Sequence, residues 1–129
     1  MTRFALACAS ALLLALPAFA QEPEEEPAPP REAPLHMVSE LAETLGRAHA
    51  VRTLCNGDQD GYWRNYMLTM MSYEGGGSRR AALTGAFNRG YQGQRRETPS
   101  CNDSSSNAEA RIAARGKELA DAIARSYMD

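Results

Sequence analysis

Apolar residues recur at steps of three and four along two stretches in the middle of the chain, which is the spacing of one helix face. The first stretch predicts a helix over residues 37–55, and the second predicts a helix over residues 62–74. Asp58 or Asp60 is the expected cap of the second helix. No alternation of apolar and polar residues competes with these assignments. The apolar stripe of the first helix consists of Val38, Leu41, Leu45, Ala48, Val51 and Leu54.

A third helix is predicted after the glycine-rich break EGGGS, with Ser78 as its cap. The sequence allows two alternative C-terminal ends for this helix. Gly90 could end it in a left-handed conformation, or the helix could continue to Glu97 before Pro99 stops it. The unbroken four-residue steps favour the longer helix. These steps run through Leu83, Phe87, Tyr91 and Arg95.

The polar stretch NDSSSN, residues 102–107, predicts a loop, and a fourth helix follows it to Tyr127. Together the four segments predict an all-α fold, a small bundle of about four helices. We expect one core between the second and third helices. Its predicted members are Trp63, Met67, Met70, Phe87 and Tyr91.

The first 20 residues have the pattern of a cleaved signal peptide. Arg3 precedes an apolar run, and the small-residue pattern Ala18-Phe19-Ala20 ends it. No other segment is apolar over the roughly 20 residues that a transmembrane helix needs. We therefore expect a periplasmic protein without a transmembrane segment, exported by a cleavable signal peptide, whose processed chain begins at Gln21.

The next segment, residues 21–34, holds five glutamates, five prolines and one arginine. It has no aliphatic side chain larger than alanine, so it cannot bury enough surface to offset the entropy of ordering. It predicts an acidic, proline-rich, disordered linker. The rest of the chain, residues 35–129, predicts one helical domain.

Two cysteines, Cys55 and Cys101, remain after the signal peptide, and an oxidising compartment favours a bond between them. A redox or metal role for the pair lacks a CxxC spacing. We therefore predict one structural disulfide. In the chain-entropy model, closing a loop of this length contributes about 4 kcal/mol.

Several arginines lie on the third helix, around the motif FNRGY at residues 87–91. Guanidinium groups bind carboxylates and phosphates through paired hydrogen bonds, so a cluster of them can form an anion-binding patch. The alternative is an ordinary solvated helix face. The candidate contacts for an envelope protein or an anionic cell-wall component are Arg79, Arg80, Arg89, Tyr91, Arg95 and Arg96.

Two segments invite a metal interpretation. The stretch NGDQDG at residues 56–61 resembles the opening of a calcium loop, but the later ligand positions fall on Arg64 and Met67. The three methionines in residues 66–74 suggest copper(I), because thioethers are soft ligands. Helix caps explain the first pattern and adaptable core packing explains the second. We therefore predict no cofactor, with copper or calcium kept as alternatives.

The sequence offers few candidate catalytic residues. No Ser, His and Asp set matches a known motif, and Glu74 at the glycine-rich bend is the single carboxylate whose setting suggests a glycosidase role. Glu74 is otherwise interpreted as a helix-end residue at the surface. His49, beside the apolar face of the first helix, is interpreted as a packing residue. No catalytic residue is assigned.

The combination of RTLC (52–55), W-R-x-x-M (63–67), Glu74, RR (79–80), FNRGY (87–91) and Cys101 resembles a known family. It is similar to small exported alphaproteobacterial proteins that share a domain of unknown function, over residues 38–127. The resemblance implies an exported, single-domain protein with no assigned activity, substrate or cofactor. No catalytic residues can be carried over from it.

A domain this small leaves no convergent set of acid, base or ligand groups once caps, loops and helix flanks are assigned. We expect no nucleic-acid partner. The sequence therefore predicts a non-catalytic interaction module of the cell envelope. The alternative is a small envelope enzyme or a periplasmic protein that binds copper or calcium.

Overall fold

The computed structural model describes residues 31–128 of the chain. The predicted signal peptide and most of the predicted linker lie outside these residues. The described part contains no strand and confirms the all-α prediction. Its helices are α1 (Leu35–Asn56), α2 (Tyr62–Ser72), α3 (Gly77–Glu97) and α4 (Asp103–Ser126).

Helix α1 forms the centre of the domain and packs against each of the other three helices. Within the described residues, α2 contacts α3 at few positions, and α4 makes backbone contact with α1 alone. Because α1 is surrounded, it is buried well beyond the single stripe predicted from its spacing. Its buried residues include Ala42, Gly46, His49, Ala50 and Thr53 in addition to four of the six predicted stripe residues, whereas Leu41 and Leu54 are half-buried.

Helices α1 and α3 run parallel and approach each other closely at two glycines. A Cβ atom at Gly46 would overlap the Phe87 carbonyl, and one at Gly90 would overlap the Glu43 carbonyl. The absence of a side chain lets the two backbones touch. Cys55 and Cys101 form the predicted disulfide, with a Cα–Cα distance of 5.1 Å, and join the end of α1 to the loop after α3.

The longer of the two predicted forms of α3 is correct, because the helix runs through Gly90 to Glu97. Gly90 has no left-handed conformation; Gly57 is the residue with positive φ in the described chain. The glycine at position 90 is needed for contact with α1, not for ending a helix. Pattern reasoning does not distinguish these two uses of glycine.

Two predicted helix starts are wrong. Ser78 does not cap α3, which begins at Gly77 without a side-chain cap. Helix α4 begins at Asp103, inside the stretch predicted as a loop, because Asn102 and Ser105 form a capping box. The prediction that Asp60 caps α2 agrees better with the structure, since the Asp60 carboxylate accepts a hydrogen bond from the Tyr62 N–H over 3.1 Å.

The core has a different centre from the one predicted. Met67 is buried in a cluster with Val38 and Leu45 of α1 and Leu83 of α3, and Trp63, Met70 and Phe87 pack partly buried against it. The predicted residues therefore share a core, except Tyr91, but α1 supplies its middle. Tyr91 instead lies beside His49, with ring centroids 5.6 Å apart.

Candidate functional site

The six predicted contact residues lie along the length of α3 and do not converge. Arg80 and Arg95 are 15 positions apart, which is about 22 Å along a helix axis. At 100° per residue, Arg89 and Arg96 lie on one flank of the helix, and Arg80, Tyr91 and Arg95 on the other. An anion-binding role for the exposed arginines stays a prediction.

Arg79 is different because its guanidinium is bound within the domain. It donates to the Glu74 carboxylate over 2.6 Å and to the Ala33 carbonyl over 2.8 Å, and Glu32 lies 3.6 Å away. The side chain is 16% exposed. The hydrogen bond to Glu74 raises the pKa of Arg79. Arg79 therefore holds the residues before α1 against the corner between α2 and α3.

The interpretation of Glu74 as a surface residue is wrong, since its side chain is 9% exposed and paired with Arg79. Arg79 neutralises the carboxylate that sequence reasoning considered for glycoside hydrolysis. The ion pair gives Glu74 a structural contact in place of an open acid or base position.

Two of the residues considered for calcium, Asn56 and Asp60, are hydrogen-bonded to each other. Asp60 accepts from Arg52 over 2.9 Å and from Asn56 over 2.8 Å. The hydrogen bond from Asn56, followed by that from the Tyr62 N–H, lowers the pKa of Asp60. Within residues 31–128, no group of three or more His, Cys, Asp or Glu side chains is arranged to hold a metal ion.

The methionines considered for copper face the core. Met67 is buried there, and Met70 and Met71 pack against the same cluster. His49 packs against aromatic rings: its ring centroid lies 5.6 Å from that of Phe87 and 5.6 Å from that of Tyr91. Its Nδ1 atom is buried without a hydrogen-bond partner among the described residues.

A groove between α2 and α4 is the most distinctive surface of the described domain, and sequence reasoning missed it. The two helices pack on α1 without backbone contact with each other, which leaves a cavity of about 470 Å³. Leu41 and Leu45 of α1 form its floor. The α4 side is smooth, with Ala113, Gly116 and Ala120, and Lys117 at its edge.

Aromatic side chains form the α2 wall of this groove. Tyr62, Trp63 and Tyr66 contact one another, with ring centroids 4.9 to 5.7 Å apart. Tyr66 is 54% exposed and Tyr73 is 82% exposed. The Trp63 indole donates to Glu109 of α4 over 2.8 Å, which fixes the ring at one end. We call this surface, lined by the residues of α2, α1 and α4 just given, the aromatic groove.

A signal for the aromatic groove is present in the sequence. Tyr62, Tyr66 and Tyr73 are separated by four and seven residues, which places all three on one helix face. Large apolar residues on one exposed face mark an interaction surface more often than scattered ones do. Pattern reasoning assigns the nearby methionines and Trp63 to the core, and it therefore does not single out the tyrosines as an interaction surface.

A second, polar cleft of about 590 Å³ lies where α4 begins beside the end of α3. Its charged lining residues are Arg47, Glu97, Arg111 and Arg115, and two of the three arginines are paired with glutamates. Arg47 donates to Gln94 over 2.9 Å and to Glu97 over 3.2 Å, and Arg115 donates to Glu40 over 2.7 Å. Arg111 forms no ion pair with another described residue.

Comparison with known proteins identifies the domain but assigns no activity to it. No curated protein and no solved structure matches this chain. No helix among residues 31–128 has the length and apolarity needed to cross a bilayer. The family model described as "Protein of unknown function (DUF2385)" matches residues 35–127, which include all four helices. The chain therefore belongs to the DUF2385 family.

Proposed function

We propose that this chain is a non-catalytic interaction module of the cell envelope, and that its aromatic groove binds a proline-rich, extended segment of a partner protein. The observation that carries the proposal is the row of exposed tyrosines beside Trp63. Such a row is costly to leave in water and is enriched at protein interfaces. Nothing comparable supports a catalytic centre in the described residues.

The shape of the aromatic groove favours an extended proline-rich occupant. Tyr62 to Tyr73 spans about 16 Å along α2, which is the length of about five residues in a polyproline II helix. Proline rings pack on aromatic faces, and the helix is already ordered before binding, so little entropy is lost. The unpaired carbonyls of such a helix can accept hydrogen bonds from tyrosine hydroxyls. A tyrosine hydroxyl is protonated at neutral pH because its ordinary pKa is about 10, and the neighbouring Tyr66 raises the pKa of Tyr62 further.

The periplasm is the proposed compartment. The signal-peptide pattern of residues 1–20 supports export. The Cys55–Cys101 bond supports an oxidising compartment, because structural disulfides are rare in the cytosol. Retention of residues 1–20 on the protein recovered from cells would reject this part of the proposal.

Binding can be tested with a twelve-residue peptide of repeated Pro-Ala-Pro-Pro, titrated calorimetrically into the chain that begins at Gln21. We expect Tyr66→Ala to weaken binding at least about tenfold, or about 1.4 kcal/mol, because it removes an aromatic ring from the middle of the α2 wall. Leu68→Ala is the matched control, since Leu68 is 56% exposed on α2 outside the groove.

Two results of this titration would reject the proposal. One is equal binding by the Tyr66→Ala and Leu68→Ala variants, which would place the peptide elsewhere. The other is tighter binding of a peptide in which alanine replaces every proline. That peptide favours an α-helix, so its preference would show that the groove accepts a helix in place of an extended segment.

A further inference from the structure

We propose that the chain's own residues 25–30 occupy the aromatic groove and compete there with the partner segment. This inference rests on the proposed function, because it uses the same groove and the same ligand chemistry. Three observations support it: the contacts that hold Ala33 in place, the contact of Glu32 with Gly75 near Tyr73, and the composition of the residues that precede them.

The residues just before α1 are held firmly. Ala33 is 2% exposed, and its N–H donates to the Tyr127 hydroxyl over 3.2 Å. Its carbonyl accepts from Arg79, as described above. The contacts at Ala33 fix the place from which the proline-rich residues emerge, so their reach over the surface is restricted.

That place is next to one end of the aromatic groove. The Glu32 carboxylate lies against Gly75 and near Arg79. Gly75 is two residues after Tyr73, the tyrosine at the end of the groove wall. A chain that continues backward from Glu32 therefore starts close to the mouth of the groove.

The preceding residues have the length and chemistry to fill it. Residues 25–30 read EEPAPP, with prolines at 27, 29 and 30. Proline disfavours a helix, and these residues favour polyproline II, in which six residues extend about 19 Å. The groove wall is about 16 Å long. The segment is thus comparable in length to the groove wall, and it is long enough to extend from Tyr73 past Tyr66.

Occupation by the same molecule is favoured over a second copy. A segment tethered by one or two residues has an effective concentration in the millimolar range. A second copy would have to reach that concentration in solution to compete equally. The geometry therefore points to an intramolecular contact, which an external partner must displace.

The first test places a photoreactive benzoylphenylalanine at Tyr66 in the chain that begins at Gln21, with Leu68 as the matched position outside the groove. Irradiation of the Tyr66 derivative at low protein concentration should join it to residues 21–30 of the same molecule, as read by peptide mass spectrometry. The Leu68 derivative should give no such product. Equal labelling at both positions, no labelling, or labelling only between two molecules would overturn the proposal.

The second test repeats the peptide titration with the triple variant Pro27→Ala, Pro29→Ala and Pro30→Ala. Loss of the tethered competitor should raise the affinity for the external peptide about tenfold. A matched variant with glutamine at Glu22 and Glu24 should change the affinity little, because these residues precede the segment 25–30 and surface charges contribute little.

The outcomes separate this inference from the proposed function. If the external peptide binds through Tyr66 with the same affinity in all three chains, the groove function holds and the self-contact is refuted. If the external peptide binds none of them, including the triple proline variant, both proposals are refuted. Raised affinity in the proline variant alone supports both.

Discussion

Gly90 of α3 lies against the backbone carbonyl of Glu43 in α1, with no room for a Cβ atom between them. Gly46 of α1 meets the Phe87 carbonyl in the same way, so the two parallel helices contact each other through their backbones. This contact places α1 at the centre of the domain. It also leaves α2 and α4 to pack on the remaining surface of α1, where the aromatic groove forms.

Alanine at Gly90 should therefore destabilise the domain by about 3 kcal/mol or more, because backbone atoms of α1 would have to move. The matched control is Gly93→Ala in the same helix, where the nearest atom to a new Cβ is the flexible end of Arg96. That change should stabilise by about 0.5–1 kcal/mol through lower chain entropy. Urea unfolding measures both, and similar effects from the two substitutions would contradict the proposed helix contact.

Arg79→Gln should cost about 2 kcal/mol, since it removes charged hydrogen bonds and leaves Glu74 largely buried without its partner. Arg95→Gln, on the exposed side of the same helix, should change the unfolding free energy by less than about 0.5 kcal/mol. Chemical denaturation measures the unfolding free energy of both variants and so shows whether Arg79 anchors the residues before α1 or is an ordinary surface residue. Equal small losses would mean that Arg79 does not hold the residues before α1.

Stability should fall below neutral pH partly because of His49. Burial lowers its pKa, the charge of Arg64 lowers it further, and Asp60 and Asp58 oppose the shift. The unfolded chain has the ordinary value of about 6.5 and so binds the proton more readily. The stabilising contribution is therefore present above about pH 6.5 and is lost as the pH falls through the folded pKa.

His49→Phe keeps an aromatic ring between Phe87 and Tyr91 and removes the titrating group. Its unfolding free energy should depend less on pH than that of the parent chain between about pH 7.5 and about pH 5. His36 is present in both chains and cancels in the comparison. Identical pH dependence would show that His49 is protonated equally well in the folded state.

The disulfide should contribute about 4 kcal/mol, because it closes a long loop between residues that are 46 positions apart. Replacing Cys55 and Cys101 together with serine should lower the unfolding free energy by this amount. Reducing the parent chain under the same conditions provides the control and should give a similar loss. A stable reduced chain with an unchanged denaturation midpoint would contradict the assignment.

The helices could be predicted from sequence because apolar spacing reports which residues lie on one face. The same spacing does not report which helix covers that face. The sequence leaves open whether α3 ends at Gly90 or continues to Glu97, and it does not indicate that Gly90 contacts α1. One apolar stripe predicts an ordinary amphipathic α1, although this helix is buried on several sides. The stretch around Asn102 predicts a loop, because asparagine and serine favour loops as well as helix caps. In the structure Asn102 and Ser105 cap α4.

The candidate site was harder to predict than the fold. The sequence groups Arg79 with the other arginines of α3, but its partners Glu74 and Ala33 come from other parts of the chain. The aromatic groove depends on the space between α2 and α4, which no local pattern encodes. The tyrosine spacing in α2 was the available signal, and it does not by itself say whether another helix covers the face.

The most direct test of the groove function is nuclear magnetic resonance mapping of the isotope-labelled chain with the Pro-Ala-Pro-Pro peptide. We predict that the perturbed backbone amides cluster in residues 62–73 and 113–120, the two walls of the groove. Perturbations that instead follow Arg89, Arg95 and Arg96 on α3, or that are absent at saturating peptide, would contradict the proposed function.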